Sequence, residues 1–145
     1  MKVSKRTEYG VRAIVQLARQ WPQNFVQSKD LAKKEHLPTK FLESILLALR
    51  RGGFLESKIG REGGYKLARP PSEISVGDII RRLEGRLANR EGKMGDNLSL
   101  GEVAVFLLNE RLTRATNEVL DAVTLEQLVE HVNKASNQQL EMYYI

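Results

Sequence analysis

One glycine-rich stretch, residues 59–71 with the sequence IGREGGYKLARPP, has side chains that could serve two kinds of chemistry. Its glycines could cradle a phosphate of a bound nucleotide, or they could let a slender hairpin present basic residues to a larger partner. A phosphate-cradling loop runs directly into a helix, whose first backbone N–H groups point at the phosphate. Here Tyr65 and Leu67 alternate with Lys66, and two prolines follow at once, which excludes a helix interior. The sequence therefore predicts a hairpin and not a nucleotide loop.

The predicted hairpin pairs residues 53–57 (GFLES) with the strand that begins at Tyr65, around a turn at residues 58–64. Three glycines of the turn can adopt a positive φ: Gly60, Gly63 and Gly64. Lys58 and Arg61 are the cations of its tip. A narrow tip that carries a guanidinium fits the minor groove of a nucleic acid duplex or lies along its phosphates.

The sequence contains no pattern that indicates catalysis or metal binding. The chain has no cysteine, which excludes disulfides, cysteine nucleophiles and iron–sulphur clusters held by thiolates. Its two histidines, His36 and His131, have no catalytic or metal-ligand spacing with serines or carboxylates. We therefore expect no enzymatic activity, no cofactor and no bound metal.

Basic residues are concentrated in the first two thirds of the chain. Residues 1–93 hold 20 Lys and Arg against 10 Asp and Glu, residues 94–145 hold 3 against 8, and the net charge is +5. A basic front indicates that it meets a polyanion, either nucleic acid or an anionic membrane surface. The membrane is disfavoured because no predicted helix combines a basic face with an exposed bulky apolar face. The longest apolar run, residues 103–108, is far below the roughly 20 residues of a membrane-spanning helix. With no apolar signal core at its start, we expect a cytoplasmic protein.

Three helices are predicted before the hairpin. The first covers about residues 5–20, the second covers about residues 29–36 with Ser28 as its cap, and the third begins at Pro38. The third helix is expected to bury Leu42, Ile45, Leu46 and Leu49. Its opposite side carries Lys40, Glu43, Ser44, Leu47 and Arg51. Gly52 or Gly53 supplies the left-handed residue that ends it. Two short helices, a tight turn and a hairpin in this order predict a winged helix-turn-helix.

The back half begins with a helix over VGDIIRRLEG and continues through a glycine-rich loop into a long helix. Ser99 and Glu102 form a capping box for the long helix, which is expected to reach about Asp121. Its apolar residues cover more of the surface than one neighbour can bury, which predicts a dimer. The alternative is a monomer in which the helix covers its own domain. The expected dimer contacts are Leu100, Val103, Ala104, Phe106, Leu107, Leu108, Leu112, Ala115 and Val119. A short helix is predicted from Thr124, with a polar tail from Asn133.

The predicted fold is mainly α with a small β hairpin. It divides into a winged helix-turn-helix DNA-binding domain over residues 1–84, a flexible loop over residues 85–98, and a dimerisation helix with a C-terminal helix and tail over residues 99–145.

Three stretches resemble the Rrf2 family of bacterial winged-helix transcription regulators. They are residues 4–18 (SKRTEYGVRAIVQLA), residues 28–57 and residues 63–85 (GGYKLARPPSEISVGDIIRRLEG), and the resemblance extends to about residue 122. It implies a homodimer that places its third helix in the major groove and its wing in the adjacent minor groove of a pseudo-palindromic site in double-stranded DNA. Glu43 would then accept a hydrogen bond from a cytosine amino group. The DNA contacts implied are Lys5, Tyr9, Ser28, Thr39, Lys40, Glu43, Ser44, Arg50, Arg51, Lys58, Arg61, Gly63, Gly64 and Tyr65.

The sequence departs from the family pattern in two places. Ile59 occupies the position of a usual wing arginine, and Arg61 lies two positions further along. The loop in which many family members place three cluster-binding cysteines has none, although Glu8 and His36 lie at or near positions that some relatives use as ligands. We therefore expect a repressor without an iron–sulphur cluster. An unknown small molecule, a partner protein, or no effector at all would each fit as its control. The alternative is a winged-helix module that binds proteins through an exposed Leu47 and the acidic back half.

Overall fold

The computed structural model describes residues 3–85 and 94–143, and in these ranges the chain forms six α-helices and one two-stranded hairpin. The elements are α1 (Lys5–Arg19), α2 (Ser28–Glu35), α3 (Thr39–Arg51), β1 (Leu55–Lys58), β2 (Gly64–Leu67), a 3₁₀ turn (Pro71–Glu73), α4 (Val76–Glu84), α5 (Leu100–Asp121) and α6 (Leu125–Tyr143). The predicted fold class, mainly α with a small hairpin, is confirmed. Most of the predicted flexible loop, residues 86–93, lies outside the described residues.

The core lies where α1 and α4 pack on the helix-turn-helix of α2 and α3. Ile14 of α1 and the four predicted apolar residues of α3 are fully buried. Gly10 allows α1 and α4 to approach closely, because a Cβ at this position would overlap the Leu83 side chain. Thr7 is buried beside this core. The Ser4 hydroxyl accepts a hydrogen bond from the Thr7 N–H and thereby caps α1.

The hairpin is antiparallel, with Leu55 opposite Leu67 and Lys58 opposite Gly64. A third segment joins it, because the backbones of Val26 and Tyr65 exchange two hydrogen bonds of 2.8 Å. Gly64 is required at this junction: its φ is +124°, and a Cβ would overlap the Val26 carbonyl oxygen. The hairpin, which we call the wing, is therefore anchored to the chain that leads into α2.

Three local predictions are corrected. Gln27, not Ser28, is the residue before α2, and Ser28 does not cap the helix because its hydroxyl bonds Glu43 instead. Of the two glycines predicted to end α3, Gly53 is the left-handed residue, with φ +83°, so that prediction is confirmed. Gly63 does not have a positive φ. A glycine is required there for another reason, because an added Cβ would overlap the Lys58 carbonyl.

The third correction concerns the C-terminus. Helix α6 extends to Tyr143, well past the predicted start of a tail at Asn133. Its second half is exposed where side chains are described, so no buried stripe marks it in the sequence. Its first turn, in contrast, contains the fully buried Leu125.

Helix α5 contains no buried residue in its 22 positions. The predicted capping box of Ser99 and Glu102 is present at its start. Its end is anchored to the domain, because the Val76 N–H donates to the Val123 carbonyl at 2.9 Å and the Leu125 N–H donates to the Ile74 carbonyl at 2.8 Å. Arg81 of α4 adds hydrogen bonds to Asn117, at 3.2 Å, and to Asp121.

Among the described residues, none of the helices combines the length and apolar character needed to cross a membrane.

Candidate nucleic-acid interface

A continuous chain of contacts connects the wing tip to helix α3. The Gln27 side-chain amide donates to the Arg61 carbonyl oxygen at 2.7 Å. The next residue, Ser28, donates from its hydroxyl to Oε1 of Glu43 at 3.3 Å. The predicted contacts on the wing and on α3 are therefore neighbours on one surface, although they are far apart in sequence.

The exposed face of α3 lies on this surface. Thr39, Lys40, Glu43 and Ser44 are all exposed, as the helical pattern predicts. Ser44 donates to the Phe41 carbonyl at 2.8 Å, so its hydroxyl is partly used inside the helix. Leu47, in contrast, is half-buried, and the alternative function that needed it exposed loses that support.

The wing tip is cationic and rests on an aromatic ring. The ammonium groups of Lys58 and Lys66 lie 5.8 Å and 4.7 Å from the centroid of the Phe25 ring, distances typical of cation–π contacts. Lys66 also forms a 3.3 Å ion pair with Glu56 across the hairpin. Arg61 is exposed. It lines a polar groove of about 790 Å³, whose other side is formed by the segment that leads into α2.

Tyr9 of α1 lies next to this surface, where it contacts helix α3. Its ring packs edge-on against Phe41, with the centroids 5.6 Å apart. The Arg12 guanidinium lies 5.6 Å from the centroid of the Tyr9 ring. Lys5 is at the exposed start of α1, paired with Glu8 at 3.2 Å. Tyr9 and Phe41 thus join α1 to the first turn of α3.

Not every predicted contact lies near the others. Arg50 and Arg51 are in the last turn of α3, at the opposite end of the helix from Thr39. Both are exposed, so they are free to reach phosphates, but the contacts that connect Tyr9, Glu43 and Arg61 do not include them.

Arg12 is half-buried, and its guanidinium is held by partners within the protein. It bonds the Glu35 carboxylate at 3.0 Å and the Glu35 carbonyl oxygen. Gln16 donates to the same carboxylate at 2.6 Å. Burial alone would raise the pKa of Glu35, but the hydrogen bonds from Gln16 and Arg12 and the charges of Arg12 and Lys34 outweigh it, so the pKa lies below its usual value. This cluster links α1 to the end of α2.

The predicted dimer residues divide between two sides of α5. Val103 and Phe106 are half-buried and lie on the side of Asn117 and Asp121, which bond Arg81. The remaining predicted residues are exposed: Leu100, Ala104, Leu107, Leu108, Leu112, Ala115 and Val119. They form one apolar stripe, which we call the α5 stripe, and Val105, which is 58% exposed, borders it.

Sequence analysis missed Phe25, Gln27 and Phe41 as parts of this surface. Phe25 and Gln27 were in a short segment whose role depends on pairing with a strand some forty residues away, and no local pattern encodes that pairing. Phe41 could have been found, because it is an aromatic residue on the polar side of α3.

Comparison with known proteins decides the family. The profile of the Rrf2 family, described as an iron-dependent transcriptional regulator, matches residues 3–131. The chain belongs to the Rrf2 family. This Rrf2 protein is 40% identical over 139 residues to a protein of Mycobacterium tuberculosis named as an HTH-type transcriptional regulator, which covers 91% of this chain and 86% of that one. It is 32% identical over 145 residues to the HTH-type transcriptional regulator CymR of Bacillus subtilis, with both chains covered in full.

Solved structures of Rrf2 regulators share the fold. The structure of CymR, the global cysteine regulator of B. subtilis, matches with a TM-score of 0.75 and 30% identity, covering 90% of this chain and 98% of that one. The structure of IscR from T. potens matches with a TM-score of 0.75 and 34% identity, covering 93% and 90%. The predicted winged-helix fold and the resemblance to the family are confirmed.

The family description names iron, but the donor groups of this Rrf2 protein do not fit an iron site. The sequence has no cysteine. Glu8 is paired with Lys5 and lies 3.8 Å from Arg12, while His36 ends α2 in a left-handed conformation with φ +55°. Over residues 3–85 and 94–143, no three His, Cys, Asp or Glu side chains form a group that could hold a metal.

Proposed function

We propose that this Rrf2 regulator acts as a homodimer that binds a pseudo-palindromic site in double-stranded DNA and represses transcription by occupying a promoter. The observation that carries the proposal is the contact chain from Arg61 through Gln27 and Ser28 to Glu43. It joins a slender cationic wing and the exposed face of a helix-turn-helix into one surface, which is the combination needed to contact two adjacent grooves.

The role proposed for each residue follows from the chemistry of its side chain and from its position. Thr39, Lys40 and Ser44 contact DNA from α3 in the major groove, and Glu43 accepts from a cytosine amino group there. The wing enters the minor groove with Arg61, while Gly63, Gly64 and Tyr65 keep it slender and anchored. Lys5, Tyr9, Ser28, Arg50, Arg51 and Lys58 contact the phosphate backbone.

The proposed dimer is supported by the α5 stripe. A row of exposed apolar side chains on a 22-residue helix is unfavourable in water, and a second copy of the helix would cover it. Two-fold pairing also gives two α3 helices, which matches the symmetry of a palindromic site.

The signal that controls the regulator is proposed to be something other than an iron–sulphur cluster, either a small molecule or a partner protein. A regulator of promoters works in the compartment that holds the chromosome, so we propose a cytoplasmic location.

The test of this function is to select binding sites from random duplexes and then to measure affinity at several salt concentrations. We expect log K to fall with log salt at a slope near −0.9 for each phosphate contact. Sedimentation in dilute buffer should give twice the monomer mass. Absence of duplex binding even at low salt, or a flat salt response together with a monomeric protein, would contradict the proposal and favour a protein-binding module.

A further inference from the structure

Within the part of the chain that the structure describes, three hydrogen bonds hold the wing against the rest of the domain, and Gln27 makes the outermost one. The two bonds between Val26 and Tyr65 are at the base of the wing, on strand β2. The 2.7 Å bond from the Gln27 amide reaches the carbonyl of Arg61, in the turn between the strands. It is thus the bond of the three that acts on the tip itself.

The wing tip has little internal support. Its turn is closed by a 3.0 Å bond from the Gly63 N–H to the Gly60 carbonyl, and two of its glycines have positive φ. Arg61 and Glu62 are exposed, and Ile59 is 99% exposed. A two-stranded hairpin is marginally stable alone, so its tip depends on contacts from outside.

The same short segment fixes the recognition helix. Ser28, the residue after Gln27, bonds the Glu43 carboxylate. Three consecutive residues, Val26 to Ser28, span at most about 10 Å, so the segment sets the distance between the wing and α3 within narrow limits. A change at Gln27 therefore alters where Arg61 lies relative to Glu43.

We infer that Gln27 is a positioning residue for DNA binding, which acts by holding the Arg61 backbone so that the guanidinium meets the duplex while α3 occupies the neighbouring groove. This inference rests on the proposed function. Gln27 acts through Arg61 and does not itself contact DNA, so its effect depends on the presence of the Arg61 side chain.

The test is a double-mutant cycle with the full-length protein and a selected duplex. Gln27→Met keeps the size of the side chain and removes the donor, and Gln27→Ala is a second variant of smaller size. Gln23→Met is the matched control, because Gln23 is exposed on the same groove and its side chain makes no hydrogen bond within the described ranges. Each Gln variant is made both in the wild-type protein and in the Arg61→Ala protein. Thermal unfolding verifies that every variant is folded.

With Arg61 present, we expect Gln27→Met to lower affinity about fivefold, the effect of one lost neutral hydrogen bond. Its salt slope should fall towards that of Arg61→Ala, by about 0.9. With Arg61→Ala, the Gln27 change should cause no further loss, and the Gln23 control should match wild type throughout.

Two results would overturn the inference alone. They are wild-type affinity in Gln27→Met, and an equal loss with and without Arg61, which would mean that Gln27 contacts DNA directly or only stabilises the fold. A wild-type protein that binds no duplex would instead overturn the proposed function, and this inference with it.

Discussion

At the scale of single residues, the basic side chains divide into those with partners inside the protein and those without. Arg12 bonds Glu35, Arg81 bonds Asp78 and Asp121, and Arg82 donates to the Ala48 carbonyl at 2.9 Å. Because these bonds join helices, a phosphate contact by Arg12 or Arg81 would have to compete with them. Fewer phosphate contacts should therefore form than the count of Lys and Arg suggests, which lowers the expected salt slope.

Glu43 is expected to select one base and to contribute little general affinity. Glu43→Ala should reduce discrimination at one base-pair position by about 1–3 kcal/mol, because a lost carboxylate no longer distinguishes cytosine. The measurement compares affinities for the selected duplex and for its single-base variants. Glu73→Ala removes an exposed carboxylate from the 3₁₀ turn and is the charge-matched control. Unchanged discrimination in Glu43→Ala would remove its assigned role.

Glu35 is expected to make the fold sensitive to acid. Because the pKa of Glu35 is lowered by folding, its stabilisation is complete above the unfolded value of 4.5 and is lost as the pH falls through the lower folded pKa. Glu35→Gln should cost about 1–2 kcal/mol at neutral pH, and this difference should shrink below about pH 4.5.

Urea unfolding at a series of pH values measures this difference. Glu126→Gln, at an exposed carboxylate, gives the background response. A destabilisation by Glu35→Gln that is the same at neutral and acid pH would contradict the expected linkage.

At the scale of elements, Gly64 is the residue on which the junction of wing and domain depends most. Gly64→Ala should destabilise by at least about 1 kcal/mol more than Gly53→Ala, because it adds an overlap with the Val26 carbonyl to the cost of a positive φ. Gly53 has φ +83° with no atom within 4 Å of its Cβ, so Gly53→Ala shows the φ cost alone, about 1–2 kcal/mol. Urea unfolding gives both values, and equal losses would mean that the junction adapts.

The elements with a local signal could be predicted, and those fixed by distant pairing could not. Helix α3 was located by its four apolar residues and by Pro38, and α5 by the capping box of Ser99 and Glu102. The third segment of the wing was missed because Val26 pairs with Tyr65 through backbone groups, which carry no sequence signature. The end of α6 was missed because an exposed polar helix and a polar tail have similar compositions.

At the scale of the whole molecule, the acidic half carries the surface proposed for pairing and the basic half carries the surface proposed for DNA. The residue types of both surfaces could be predicted from the sequence. Their division could not, because only packing shows that Phe106 is half-buried while Leu112 is exposed. The half-burial of Leu47 could not be predicted either, because it depends on the residues that pack around it in the fold.

Leu112→Glu tests the α5 stripe. A charge in the middle of the stripe should make the protein monomeric and lower affinity for the selected duplex about 100-fold or more, because two linked half-sites are no longer bound together. Leu112 is 53% exposed, so the fold of the monomer should persist. Asn109→Glu adds the same charge to α5 outside the stripe and should remain dimeric. Sedimentation and duplex titration measure the outcome, and a dimeric Leu112→Glu protein would place the interface elsewhere.

The anchoring of α5 at one end has a mechanical consequence. Its far end, at Leu100, is 90% exposed, while its near end is fixed by Arg81 and by the backbone bonds around Thr124. We expect any tilt of α5 relative to α4 to pivot about this end of the helix, which is about 33 Å long. A tilt of about 5° at the pivot displaces the tip by about 3 Å, the scale of one base-pair step. In the proposed dimer, we expect a ligand that breaks the Arg81 bonds to change the separation of the two α3 helices without contacting either of them.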